Sequence, residues 1–189
     1  MAGWIILGIL VFGVLAVVFI YNSLVSLRNQ VHNAGKQIDV QLKRRHDLIP
    51  NLVSTVKGAM EFEQDTLEKV ISARAKAVSA SGMQEKAEAE NMLTQALGRL
   101  FALMENYPDL KSNQNIMQLQ EELTSTENRI GFARQLYNDL VANYRTQQEV
   151  FPNNLIASLF GAFSKEEYFE AEAEARAVPK AEISIRARS

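Results

Sequence analysis

The chain has 189 residues, enough for one modest domain with its own core plus accessory segments. Its 20 basic and 22 acidic residues nearly cancel, so no strong field points to nucleic acid as a partner. With no cysteine there is no disulfide, thiolate zinc site, cysteine nucleophile or lipidated cysteine, and with only His32 and His46 a metal or triad enzyme has little to work with.

Residues 1–27 carry no charged side chain, and Trp4–Ile20 is apolar throughout. At about 1.5 Å per residue that run is roughly 26 Å long, near the short end for a spanning helix. Trp4 and Tyr21 bracket it as interfacial aromatics do. A cleaved signal peptide is the rival, but it calls for a basic start and a small-residue cleavage site, and neither MAGW nor YNSLV supplies them. The expectation is an uncleaved anchor over 1–21. Gly3, Gly8 and Gly13 are five apart, so no GxxxG dimer face is present. Arg28, Lys36, Lys43, Arg44 and Arg45 all follow the run closely, which predicts an N-terminus outside and the rest in the cytoplasm.

The stretch Tyr21–Val56 joins this anchor to everything downstream. Leu24, Leu27, Val31, Ala34, Ile38, Leu42 and Ile49 mostly follow three- and four-residue steps, the pattern of an amphipathic helix continuing out of the membrane. Gly35 in mid-helix costs about 1 kcal/mol relative to Ala. Pro50 removes a backbone donor, which predicts a kink or short break there. Lys43-Arg44-Arg45-His46 reads as a site for an anionic partner, as a solvated helix face, or as one arginine paired to a buried acid across a bundle. Arg45 would stand roughly 35 Å from the bilayer on an upright helix, several Debye lengths away and too far for headgroup binding.

Leu52, Val53, Val56, Met60, Leu67, Val70 and Ile71 extend the apolar stripe into a second helix. Ser72–Glu90 is small and polar and predicts a mobile loop with its turn at Ser79–Gly82. A third helix carries Met92, Leu93, Ala96, Leu97, Leu100, Phe101 and Met104, and ends at a turn over Asn106–Asp109. The fourth has the cleanest period. Ile116, Leu123, Ile130, Tyr137 and Tyr144 are seven apart, Leu119, Thr126, Ala133 and Leu140 alternate with them, and Asn113 or Asn115 is the cap. So narrow a seam fits an antiparallel bundle, with a self-associating coiled coil as the rival. Beside it lie Glu127, Asn128, Arg129, Arg134 and Asn138. They suggest a polar network with Asp39, Arg44 and Arg45, in which a buried Glu–Arg pair links this helix to Asp39 or Arg44. As a catalytic acid Glu127 would need a second acid or base in a cleft, and the sequence identifies none. No E-x-x-H occurs, which counts against a bundle metal site, so neither metal nor cofactor is expected.

Phe151–Phe163 is unusually apolar, with Leu155, Ile156, Leu159, Phe160 and Phe163 sharing a face with Phe151 nearby. It reads either as a cap over the end of the core or as a docking surface for another subunit, a partner or the bilayer. Ser164–Glu167 has the capping-box pattern for a last short helix through Tyr168 and Phe169. Residues 177–189 have a tail's composition. The predicted plan is all-α: an anchor over 1–21, a helical bundle over 22–150, an apolar segment with a short helix over 151–176, and the tail.

Several blocks in this order resemble the LemA family. They include Tyr21-Asn22, Arg28-Asn29, Gln37–Arg45, Asp47–Val53, Glu105–Lys111, Thr126–Ile130, Ala133-Arg134, Tyr137-Asn138, Phe151-Pro152 and Tyr168-Phe169. One departure is Gly35, where the family usually carries Trp. The resemblance implies a bacterial single-span protein with an extracytoplasmic N-terminus and a cytoplasmic four-helix bundle, often encoded beside membrane metalloproteases, with no catalytic residues to transfer. The expected function is a membrane-tethered, non-enzymatic scaffold that self-associates, with an adaptor for a membrane protease as the alternative and a site inside the bundle as the least favoured. The bilayer, further copies and a membrane protein are the expected partners, and nucleic acid is not.

Overall fold

The computed structural model describes residues 1–161 and 163–170. Helix α1 runs Ala2–Lys57, and a single 3-10 turn at Glu61–Glu63 leads into α2, Gln64–Ser79. Then follow α3 (Met83–Met104), the one-turn α4 (Pro108–Lys111), α5 (Gln114–Glu149) and α6 (Asn153–Phe160). Among the described residues there is no strand. Helices α1, α2, α3 and α5 form the antiparallel bundle, with α1 lying along α5 and α2 forming a hairpin with α3.

Helix α1 is long enough and apolar enough at its start to cross a membrane. From its start through Leu15 it is bare on every side, whereas Leu24, Val31, Ile38, Leu42, Ile49, Leu52 and Val56 are buried in the domain. The expected break at Pro50 does not form, and α1 runs through it to Lys57. Proline deprives the carbonyl four residues earlier of its helical donor, and that carbonyl is His46's. Here Arg74 of α2 supplies the replacement, its Nε donating to the His46 carbonyl at 2.7 Å.

The loop expected over Ser72–Glu90 shrinks to residues 80–82, because α2 continues to Ser79 and α3 starts at Met83. Its small residues are packing residues: Ala73, Ala77, Ala80, Ala87 and Ala89 are all buried, letting the helices of the hairpin approach closely. Gly82 turns the chain at φ +80°, a conformation that glycine adopts without strain. Helix α5 begins on the Asn113 cap, whose Oδ1 accepts from the backbone N–H groups of Asn115 (3.0 Å) and Ile116 (3.4 Å). Its heptad residues Ile116, Leu123, Ile130, Tyr137 and Tyr144 are all buried.

The core has two parts. The part far from the apolar run is aliphatic and draws on α1, α2, α3, α4 and α5, with Leu52, Val70, Leu93, Leu100 and Ile116 at its centre. The other part lies toward the anchor and joins α1 and α5 to the first turns of α3 through Val31, Ile38, Ala87, Ile130, Tyr137, Val141 and Tyr144. The α2–α3 hairpin tip reaches only the level of Gly35. A Cβ there would stand 3.2 Å from the Met83 methyl and 3.6 Å from the Tyr137 ring, so these two side chains fill the space beside the glycine.

From there toward the anchor, residues 163–170 take the place of further helices. The capping box at Ser164–Glu167 does not start a helix, and the chain runs extended along α5. Arg145 donates to the Glu166 carbonyl from Nε at 2.9 Å and also from Nη2. The Tyr137 hydroxyl donates to the Glu167 carbonyl at 2.8 Å. Asn138 pairs with the backbone of Phe169 in both directions, donating to its carbonyl (3.3 Å) and accepting from its N–H (2.9 Å). A helix here would withdraw those carbonyls into its own turns, and so short a helix is marginal by itself. Phe169 is buried in the core as the strap's anchor. The tail over 177–189 and residues 171–176 of the 151–176 segment lie outside the described residues.

Candidate functional site

Two features stand apart from ordinary helix packing: a buried ionic layer across the bundle and an apolar patch beside the anchor. The layer lies between the two core parts. In α1 the apolar steps jump from Leu42 to Ile49, in α3 from Ala89 to Leu93, and in α5 from Leu123 to Ile130. The positions left between are Arg45 and His46, Glu90, and Thr126 and Glu127, and the fold brings these interruptions to one level.

Arg45 is the hub. Its Nη1 lies 3.2 Å from Glu90 Oε2 and 2.8 Å from Glu127 Oε2, and its Nη2 donates to the Thr94 hydroxyl at 2.7 Å. His46 Nε2 meets the other Glu90 oxygen at 2.6 Å. A carboxylate only accepts, so with Glu90 ionised His46 carries its proton on Nε2. Burial pushes the Arg45 guanidinium below its ordinary value, against the opposing pull of Glu127 and then Glu90, and Arg134 adds to the lowering. A planar guanidinium with several fixed donors is the cation suited to such a place, since it can satisfy two carboxylates and a hydroxyl at once.

Of the other residues of the expected network, Arg44 is exposed on α1. Asp39 pairs across to Lys86 of α3 at 2.6 Å, outside the layer. Arg134 stacks over the Phe169 ring at 5.6 Å and ties the strap to α5. Lys43, beside the layer in sequence, pairs with Asp47 at the surface at 2.9 Å, and this bond holds the Asp47 carboxyl below the usual carboxylate range. Sequence reasoning missed Glu90 and Thr94. The available signal was register, because Glu90 occupies a position that the Ala87–Leu93–Leu97–Leu100 stripe turns inward.

The layer has the parts of a structural ion cluster. Glu90 and Arg45 are sealed from solvent, so no cleft opens onto them. Among the described residues no group of three His, Asp or Glu side chains is placed to hold a metal ion.

The apolar patch is built on α6. Of the expected face, Ile156 is buried against the bundle, while Phe151, Leu155, Leu159 and Phe160 are exposed. Phe160 and Phe163 meet Tyr21 edge-to-face at 5.0 and 5.5 Å between ring centroids, and Arg28 lies 6.0 Å over Phe163. Trp4, at the far end of the apolar run, is bare. A third apolar surface escaped sequence reasoning. Val40 on α1 and Phe132 and Leu136 on α5 line a groove between the two helices, with Val40 63% and Phe132 74% exposed and Lys36 and Arg129 at its rim.

The comparisons with known proteins agree with the blocks in the sequence. The model of the LemA family matches residues 34–183, most of the chain. The protein LemA of Metamycoplasma hominis is 26% identical over 157 residues, covering 82% of this chain and 72% of that protein. A magnetosome protein MamQ of Paramagnetospirillum magneticum is 25% identical over 176 residues, and the MamQ of Magnetospirillum gryphiswaldense 24% over 175 residues, each covering 79% of this chain. The chain matches 64% of the length of these magnetosome proteins, so a third of each has no counterpart in the alignment. The matched span takes in the ionic layer, the heptad helix and the strap, and on that breadth the chain belongs to the LemA family.

Proposed function

We propose that the protein is a non-catalytic, membrane-anchored scaffold that presents a rigid helical bundle for assembly with further copies of itself. The observation carrying this reading is α1, one helix whose bare apolar start and buried later stripe make anchor and domain a single element. A bundle so joined transmits position more readily than it performs chemistry, and the Arg45–Glu90 centre of the ionic layer is sealed from solvent. The groove at Val40, Phe132 and Leu136 supports the self-association part, because apolar residues rimmed by charge mark interaction surfaces. The charges following the apolar run, with Lys43 and Arg44 exposed, support a cytoplasmic bundle on the inner membrane.

Mass measurement of the full chain in detergent or nanodiscs tests the assembly. An oligomer that Phe132→Ser dissociates supports it, and a strict monomer at high concentration overturns it. Crosslinking from the Val40 face that captures a membrane protease in place of a second copy would replace self-assembly with the adaptor role. A compartment-specific reporter fused after residue 189 tests orientation, and activity only outside the cytoplasm would reverse it.

A further inference from the structure

The place of α6 relative to the apolar run of α1 has a consequence for how the domain meets the membrane. Up to Leu15 that run is bare on all sides, but Ala16, Val17, Ile20 and Tyr21 share one face and are half-buried. Helix α6 packs against both α1 and α5, and its Phe160 ring rests on Tyr21. The last turns of the anchor and the end of α6 therefore lie at the same height. Ile156 faces the bundle, while Leu155, Leu159 (76% exposed) and Phe160 face outward. Phe19 and Val18 of α1 are also bare, so at the level of the Tyr21–Phe160 contact both the span and α6 present apolar surface. No charged residue occurs between Glu149 and Lys165, and α6 ends in a left-handed Gly161 that turns the chain away toward the polar strap.

We propose that α6 is a second membrane contact, a foot whose Leu155–Leu159–Phe160 face lies in the interfacial layer of the leaflet from which α1 emerges. This rests on the reading of α1 as an anchor. A short helix with one apolar face, held at the depth where a span meets the headgroups, is buried by the acyl boundary without further folding cost. Position beside the span selects lipid over a protein partner, since the bare α6 face stands at the level where Val18 and Phe19 of the span are themselves bare to the bilayer. The consequence is orientational. A single helix leaves the bundle free to rotate about its own axis, whereas two contacts on one side fix which face of the bundle points along the membrane.

Trp4 is the sole tryptophan, and the chain has no cysteine, so both probes are clean. The full chain is placed in phosphatidylcholine vesicles with and without acyl chains brominated close to the headgroup. Quenching of Trp4 in the parent reports the anchor. Leu159→Trp in a Trp4→Phe background is expected to emit to the blue and lose most of its intensity to the brominated lipid. Met117→Trp in the same background, at the far end of α5, is expected to stay red and unquenched. If Trp4 is quenched and Leu159→Trp is not, the foot is wrong and the anchor stands. If neither is quenched, the anchor reading itself fails. Blue emission that resists the brominated lipid and grows with protein-to-lipid ratio would show a second copy on this face and overturn the proposal. Should Leu159→Trp fail to fold, an environment-sensitive dye on Leu155→Cys gives the same comparison.

Discussion

Beyond the ionic layer the long helices share one aliphatic core, whereas on its anchor side the α2–α3 hairpin ends at the level of Gly35 and α1 runs on beside α5 with only α6 and an extended strap to close the structure. In the outer region leucine, isoleucine, valine and alanine interlock, and stability comes from close packing. In the membrane-side region the buried aromatics Tyr137, Tyr144 and Phe169 join the aliphatic side chains, and the strap is held by side chains of α5 bonding to its backbone. Arginines lie over its rings, Arg145 at 4.4 Å from Tyr168 and Arg134 at 5.6 Å from Phe169. The difference shows how a bundle can taper toward a single membrane helix. Each helix that drops out leaves backbone and apolar surface uncovered, and a short chain with aromatic anchors and α5 side chains as partners can cover both. The ionic layer sits where the two regimes meet.

The strongest way to break the comparison is at that boundary. Glu90→Ala leaves Arg45 buried with Glu127 as its remaining carboxylate and takes the partner from His46, and we expect a loss of about 3 kcal/mol in chemical denaturation. Replacing the pair by apolar residues of similar volume, Arg45→Met with Glu90→Leu, is expected to recover most of that loss. Lys43→Ala, which removes an exposed pair two residues away, is expected to cost under about 1 kcal/mol. Equal losses for Glu90→Ala and Lys43→Ala would show that the layer contributes no more than a surface pair.

Next in size is Phe169→Ala, which vacates the strap's buried anchor for a local loss of about 3 kcal/mol. Hydrogen exchange checks it. The amide of Phe169 and its neighbours should lose protection while the amides of the outer core, around Leu52 and Leu100, keep theirs. Uniform loss through both regions would mean that they unfold as one unit.

Arg74→Ala acts on the outer region by a backbone route and is expected to cost about 1–3 kcal/mol by orphaning the His46 carbonyl beside Pro50. Pro50→Ala returns a helical donor to that carbonyl, so the cost of Arg74→Ala should shrink in the Pro50→Ala background. A double-mutant cycle reads the coupling, and additive effects would sink the account of how α1 passes through proline.

The long-range plan was legible because α1 and α5 carry sustained periods, and Ile116 through Tyr144 at seven-residue steps places a whole helix. The small-residue stretch from Ser72 to Glu90 was not, since alanine and serine signal a loop by composition but here mark close helix contact, which depends on the partner helix. Pro50 misled for the same reason: its rescue comes from Arg74, in a different element. Within the ionic layer, Arg45 and Glu127 were readable as candidates, but Glu90 was passed over as one more charge in a polar run. The strap was the hardest, because Ser164–Glu167 favours a helix locally and only the tertiary partners Tyr137, Asn138 and Arg145 favour an extended chain.

The smallest expected effect separates the two regions by pH. Burial, then the nearby Glu166 and Glu167, pushes the Tyr137 hydroxyl from the ordinary 10.0 up to about 12. A tyrosine is neutral when protonated, so a raised value in the folded chain means that the fold favours the proton. The associated stability is fully present below pH 10, falls as the pH climbs toward 12, and is absent above it. Ionised Tyr137 can no longer donate to the Glu167 carbonyl and stands as an anion beside two carboxylates, so the strap should loosen first. Tyr137→Phe removes the bond at all pH values, costing about 1 kcal/mol near neutrality, and with it the alkaline fall that this group contributes. Following strap exchange and outer-core exchange separately from pH 9 upward checks both claims at once, after correction for the intrinsic rise of exchange rates with pH. A strap that stays protected in the parent through pH 12, or one that loosens identically in Tyr137→Phe, would show that this hydroxyl does not control it.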